Sequence, residues 1–256
     1  MYTYIYDSFV NEKKYQSLLF RIETRLLELG INGRVEKLSL LKSVKEIIAD
    51  AITRKSETIV LVGNDETIAQ AISFLSGIRV VLGIIPIGPH NSIADMLGVP
   101  QGAEACDILS RRIVEHIDLG KVNGRHFLSQ LEIRDASHVT LDCDGYNITS
   151  DGPDSVVQIC NFGYAESSFD RIPSDPQDGV LEAVIRTPIK RTLLNTFGHR
   201  SMRPSVFPFT KIHIRSKGEN VAVIADGQTM LKTPITVEVA PKKLTMIVGK
   251  RRAFHA

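Results

Sequence analysis

Cysteine is scarce: the 256 residues hold three, Cys106, Cys143 and Cys160, far apart and odd in number. That count excludes a disulfide framework and any C-x-x-C zinc site, and a reducing cytoplasm is the simple setting. An excess of one charge is lacking too. Lys and Arg total 31 against 29 Asp and Glu, and a net charge of +2 does not announce a nucleic-acid binder. The opening MYTYIYDSFV has no basic region followed by a long apolar stretch, so no secretory signal is expected. The most apolar run, IRVVLGIIPIG (78–88), is too short to cross a bilayer and contains a proline. Short-period repeats and low-complexity segments are absent as well. What remains, 43% hydrophobic and 23% charged, is the composition of a soluble globular protein, long enough for one large domain or two ordinary ones.

The first half alternates strand and helix patterns. Tyr2–Tyr6 reads as a strand. Over 11–29, Tyr15, Leu18, Leu19, Ile22, Leu26 and Leu27 recur at helical spacing, and Gly30 is the stop. Arg34–Leu38 is a short strand, and Ser43–Thr53 is a helix with Val44, Ile47, Ile48 and Ile52 on one face. Thr58–Val62 and Arg79–Ile85 are apolar strands on either side of a helix over 66–75. Strands without alternation, separated by amphipathic helices, indicate a parallel sheet covered on both faces. After about Arg112 the texture changes to many short strands with turn signals between them, Asn123-Gly124 being the strongest hairpin signal. The expected architecture is a Rossmann-like parallel α/β domain over 1–112 followed by an antiparallel β-sandwich domain over 113–256.

Ligands of parallel sheets bind beyond the carboxyl ends of the strands. Two segments stand there, Gly63–Thr67 and Pro86–Asn91. The first, inside VLVGNDETIAQAI (61–73), has the strand–glycine–helix form of a phosphate cradle, but it carries two carboxylates, Asp65 and Glu66, and one glycine. It reads equally as an acidic helix N-terminus.

The order of motifs resembles the diacylglycerol kinase catalytic-domain family, the lipid kinases related to bacterial lipid kinases and sphingosine kinases. Where that family has a strand, Gly-Gly-Asp-Gly-Thr and a helix, this chain has Gly63-Asn64-Asp65-Glu66-Thr67. Its Pro-Leu-Gly-Thr-x-Asn-Asp segment corresponds to IIPIGPHNSIADMLGVP (84–100), with Gly88 and Asn91 kept and Pro89 and Ser92 in place of the Thr and final Asp. Its Asp-Gly-x-Leu-Asp corresponds to the end of VQICNFGYAESSFDRIPSDPQDGVLEAVI (157–185), and its Asp-Gly-Glu to Asp226-Gly227-Gln228. The resemblance spans roughly 57–248 in the right order. NAD kinases share much of this architecture, but their Thr-Pro-x-Gly-Ser-Thr-Ala-Tyr stretch is not visible.

The resemblance implies ATP-dependent phosphoryl transfer to a lipid hydroxyl, with ATP and Mg2+ as cofactors. It implies nucleotide contacts from Gly63, Asn64, Asp65, Glu66, Thr67, Gly88 and Asn91, a structural magnesium on Asp175, Asp178 and the carbonyl of Val180, and acceptor chemistry at Asp226 and Gln228. Each has a plainer alternative: Asn91 as a helix N-cap, Asp178-Gly179 and Asp226-Gly227 as turns. Gln228 departs most, because a neutral amide does not act as a base near pH 7 where the family's Glu would. An impaired site is therefore expected beside the active reading: a kinase-fold protein that binds nucleotide, lipid or a partner. Between Ala183 and Gly218 no Asp or Glu occurs, while Arg186, Lys190, Arg191, Arg200, Arg203, Lys211, Arg215 and Lys217 do, interleaved with Leu193, Leu194, Phe197, Phe207 and Phe209. That stretch is either a solvated sheet face or a surface for anionic lipid headgroups. The expected partners are a lipid substrate or an anionic membrane surface, with a homo-oligomer left open and no nucleic acid. The expected location is the cytoplasm, with peripheral membrane attachment left open.

Overall fold

In the computed structural model, residues 1–143, 145–150, 154–162, 174–188 and 202–254 are described. The chain divides into two compact units, Met1–Ile117 with Lys242–Ala256, and Asp118–Pro241. The first unit holds β1 (Tyr2–Tyr6), α1 (Gln16–Glu28), β2 (Arg34–Lys37), α2 (Val44–Thr53), β3 (Thr58–Gly63), α3 (Asp65–Leu75), β4 (Val81–Pro86), α4 (Ser92–Met96) and α5 (Ala105–Arg111). Its strands run parallel in the order β2-β1-β3-β4. All six residues of β3 are buried, which is why its sequence shows no polar alternation. The spacing of α1 is confirmed for Ile22 and Leu26, which are buried, but Leu27 is 66% exposed and lies outside the apolar face. The serine–glutamate capping box of Ser43 and Glu46 starts α2. Because β2 and β3 lie on opposite sides of β1, the loops leaving β1 and β3 diverge, and the sheet has its binding crevice there.

Thirteen residues of the last strand tie the chain together. The second unit is built from the end of β5 (Val114–Val122), β6 (Arg125–Phe127), β7 (Gln130–Ile133), β8 (Val139–Cys143), β9 (Tyr146–Thr149), β10 (Val156–Cys160), β11 (Leu181–Pro188), β12 (Met202–Phe209), β13 (Lys211–Ser216), β14 (Ala222–Ala225), β15 (Thr229–Lys232) and the start of β16 (Ile235–Ile247). One antiparallel sheet has the order β12-β11-β10-β7-β14-β15, and β16, β13, β8 and β9 make the other ladder. Its core lies between them: Leu131, Val157, Ile159 and Val223 meet Leu141, Ile212, Ile214 and Val237. The Asn123-Gly124 turn joins β5 to β6 with φ of 45° and 85°, the backbone a two-residue hairpin requires.

The expected division at 112 and 113 treats the second domain as one continuous stretch. The compact units instead part between Ile117 and Asp118, and the chain returns: Thr245 and Met246 of β16 pair in parallel with Val81 and Leu82 of β4. Leu128 and Ser129 separate β6 from β7. Among the described residues, no helix is long and apolar enough to cross a membrane.

Candidate functional site

The turn after β3 is held by side chains of the chain itself. Asn64 is the N-cap of α3, and its Oδ1 accepts from the N–H of Glu66 at 3.1 Å and of Thr67 at 3.3 Å. Thr67 Oγ1 accepts from Asn64 N at 3.1 Å and donates to Asp7 Oδ2 at 2.7 Å. A Cβ at Gly63 would lie 2.1 Å from Thr67 Oγ1, so this glycine is required by the buried threonine. Asp65 turns the other way. Its N–H donates to His90 O at 2.9 Å, its Oδ2 accepts from Ser92 N at 2.8 Å and from the Ser92 hydroxyl, and its Oδ1 accepts from Ile93 N at 3.1 Å. Burial pushes the Asp65 carboxyl upward from its ordinary value, against the lowering effect of these bonds. Asn91 occupies the N-cap position before α4 without capping it by its side chain. Its Nδ2 donates to Gly88 O at 2.6 Å, its Oδ1 is a buried acceptor with no partner, and Asp65 supplies the cap instead. The Glu66 side chain is exposed.

The amides of Asp65, Glu66 and Thr67 at the first segment, and those of Ser92 and Ile93 just after the second, are therefore already engaged. The cradle's acidity is not a set of helix-dipole contacts alone, because Asp65 serves the helix across the crevice. Beside it, Asp7, Ser8, Leu38, Ser39, Leu40, Lys42, Ser43, Val44 and Gln70 line an open cleft of about 370 Å³ at the carboxyl ends of β1 and β2.

In the second unit, Asp226 sits at the β14–β15 turn with φ of 47°. Its Oδ2 accepts from Leu128 N at 2.8 Å, and its Oδ1 from Ser129 N at 2.8 Å and Gln130 N at 3.0 Å. These bonds explain the break between β6 and β7. They also occupy three of the roughly four acceptor positions of the carboxylate through which Asp226 would take a proton from a hydroxyl. Gln228 is exposed, and its N–H closes the turn onto Ala225 O.

Asp175 and Asp178 lie in one loop. Asp175 Oδ1 accepts from Gln177 N at 3.1 Å, and Asp178 Oδ1 from Val180 N at 2.9 Å. Two buried neighbours were not among the expected site residues. Asp118 Oδ2 accepts from Gly179 N at 2.8 Å, and Asn161 Nδ2 donates to Asp118 O and Leu128 O. The signal for Asp118 was a charge inside the apolar β5 pattern, and for Asn161 a polar residue closing β10. Glu182 completes this acidic set. Burial, then Asp178 and Asp175, push its carboxyl up to about 7. Among the described residues, no group of three or more His, Cys, Asp or Glu side chains is placed to hold a metal ion.

Of the basic stretch, Lys190, Arg191, Leu193, Leu194, Phe197 and Arg200 lie outside the described residues. Phe209 belongs to the sandwich core and Phe207 packs against it, so these two aromatics do not form an outward apolar surface. Arg215 pairs with Asp142 at 2.5 Å.

Comparison with known proteins places these features. Residues 2–122 match the model of the diacylglycerol kinase catalytic domain. A diacylglycerol kinase of Bacillus subtilis (strain 168) is 33% identical over 84 residues, 31% of this chain. That match spans 28% of the relative's length. Among solved structures, a diacylglycerol kinase from Bacillus anthracis str. Sterne superposes with a TM-score of 0.81 at 22% identity, covering 98% of each chain. An NAD kinase from Archaeoglobus fulgidus in complex with ATP gives 0.62 at 18% identity, covering 98% of this chain and 95% of that one. These likenesses establish a shared fold of the diacylglycerol kinase and NAD kinase type.

Proposed function

We infer the function from one premise: over residues 2–122 this chain belongs to the diacylglycerol kinase catalytic-domain family. Membership makes phosphoryl transfer from ATP to a lipid hydroxyl the reference activity. The reading we favour is a diacylglycerol-kinase-like protein whose catalytic step is impaired and whose retained role is binding of a nucleotide, lipid or partner. One observation carries it: Asn64 Oδ1 takes the Glu66 and Thr67 amides at the start of α3.

Phosphoryl transfer rests on positioning and charge stabilisation. Backbone amides at a helix start provide both when they are free to face the phosphate. Here Asn64 and Asp65 stand in for that anion, and Glu66 adds a negative charge. Two unit charges ~5 Å apart at an effective dielectric of ~20 repel by roughly 3 kcal/mol, about two orders of magnitude in affinity. Gln228 contributes an amide where a carboxylate would receive the proton. The magnesium implied by the resemblance enters no step. Asp175 and Asp178 each commit an oxygen to their own loop, and the described residues place no third His, Cys, Asp or Glu with them to hold a metal ion.

A second reading, an active ATP-dependent lipid kinase, is favoured by the open cleft beside Asp7 and Lys42, which leaves room for a ligand at the crevice. Purified protein incubated with labelled ATP, magnesium and a panel of diacylglycerols and sphingoid bases separates the two. The expected result is no transfer above a protein-free control, with weak ATP binding by calorimetry that tightens in Asn64→Gly/Glu66→Gly. Robust lipid phosphorylation that disappears in Asp226→Ala would establish the active reading instead.

A further inference from the structure

We propose that the first unit docks on anionic lipid bilayers through a two-leucine tip, Leu40–Leu41. The loop after β2 is a tight turn: Ser39 and Lys42 exchange both backbone hydrogen bonds at 3.2 Å, and Leu41 N donates to Ser39 Oγ at 3.3 Å. At its apex Leu40 and Leu41 are 107% and 95% exposed, more than any other large apolar side chain among the described residues. Scattered exposed leucines are ordinary. Two adjacent ones held fully in water at the apex of a hydrogen-bonded turn are not.

Charge selects the occupant. Lys37 stands three positions before the leucine pair and Lys45 four after it, both exposed and without an ion pair among the described residues. The acids nearby are committed: Glu36 to Arg34, Lys42 and Arg54, and Glu46 to the Ser43 cap. Free ammonium groups beside an apolar apex match a surface whose headgroups are negative and whose interior is hydrocarbon. A second copy of this chain would bring the same lysines face to face. The inference goes beyond the reading of the nucleotide site, since docking requires neither ATP nor Asp226.

The chain has no tryptophan, so Leu41→Trp installs a single fluorescent reporter. With vesicles of equimolar phosphatidylcholine and phosphatidylglycerol, its emission is expected to shift to the blue, and with pure phosphatidylcholine to shift less. In sedimentation with the mixed vesicles, Leu40→Ser/Leu41→Ser is expected to lower partitioning about tenfold or more. Lys37→Gln/Lys45→Gln is expected to lower it on mixed but not on neutral vesicles. Unchanged circular dichroism and melting temperature establish that these surface variants fold. The proposal is overturned if Leu41→Trp emission ignores the vesicles or the serine pair binds like the wild type. It also fails if the serine pair dissociates a dimer while vesicle binding is unaltered. Emission and sedimentation are read without ATP, so docking can fail or hold whatever the phosphotransfer assay gives.

Discussion

Ser174 has one hydroxyl hydrogen and two acceptors, Asn161 O at 2.9 Å and Glu182 Oε2 at 2.5 Å. Both contacts are satisfied when Glu182 carries a proton of its own. Its surroundings favour that state: the side chain is buried, and Asp178 and Asp175 are close enough to raise its titration from 4.5 to about 7. A carboxyl that binds its proton more tightly folded than unfolded stabilises the fold fully below the unfolded value, and that stabilisation is lost as pH rises through the folded one. Between 4.5 and about 7 the loss is on the order of 3 kcal/mol. Urea unfolding across that window is expected to show the wild type weakening with rising pH relative to Glu182→Gln, which should be the more stable protein at about pH 8. Parallel curves would assign the titration to another group. The sequence shows Glu182 only as the acid closing Asp-Gly-x-Leu-Glu. Its shift arises from acids and a serine that meet only after the loop folds back on β11. Gln228 is the contrasting case, because the chemical difference between an amide and a carboxylate is legible in a single letter.

Helix starts divide in the same way. The Ser43–Glu46 capping box is a local pattern, visible in the sequence and present in the structure. The cap of α4 is not local: Asp65 reaches the amides of Ser92 and Ile93 across 27 and 28 positions, while Asn91, at the favoured cap position, turns to Gly88. Composition and spacing cannot show such a link, because it depends on β3 and β4 lying side by side. The strands themselves were legible, since β3 and β4 are almost wholly apolar and almost wholly buried runs. Removing the distant cap by Asp65→Ala leaves two partly buried amides and a hydroxyl without their acceptor. That is expected to cost about 1–3 kcal/mol. Ser43→Ala, at an exposed helix start, is expected to cost about 1 kcal/mol. Denaturant midpoints of both variants test the order. An Asp65→Ala protein as stable as the wild type would show that the carboxylate contributes no more by capping α4 than its own burial costs.

At the scale of the whole chain, a reading in sequence order gives two successive domains, because the pattern changes only once, near Arg112. The fold returns. The final fifteen residues, Lys242–Ala256, belong to the unit that the first 117 begin. There Leu244, Met246, Ile247, Val248 and Phe254 are each at most 3% exposed. Gly249 N donates to Leu97 O, and Ala253 N to Met96 O, both at 2.8 Å. Nothing in the letters TMIVGKRRAFHA distinguishes a strand that closes its own sheet from one that joins an earlier sheet. Parallel pairing with β4 is decided by the long-range register. The consequence is measurable. Burying five large apolar side chains is worth roughly 1.5–3 kcal/mol each, which together is comparable to the 5–15 kcal/mol by which a domain is usually stable. A fragment of residues 1–117 is therefore expected to lack a cooperative unfolding transition. Joining residue 117 to residue 242 through a short glycine-serine linker should restore one. The linker need only be short, because His116 Nδ1 lies 3.3 Å from Thr245 Oγ1, placing the two ends on adjacent strands. Thermal unfolding followed by circular dichroism compares the two. A fragment that melts as cooperatively alone as with its C-terminal segment would show that β1 to β4 and their helices suffice, and that the returning strand is an addition to an already stable unit.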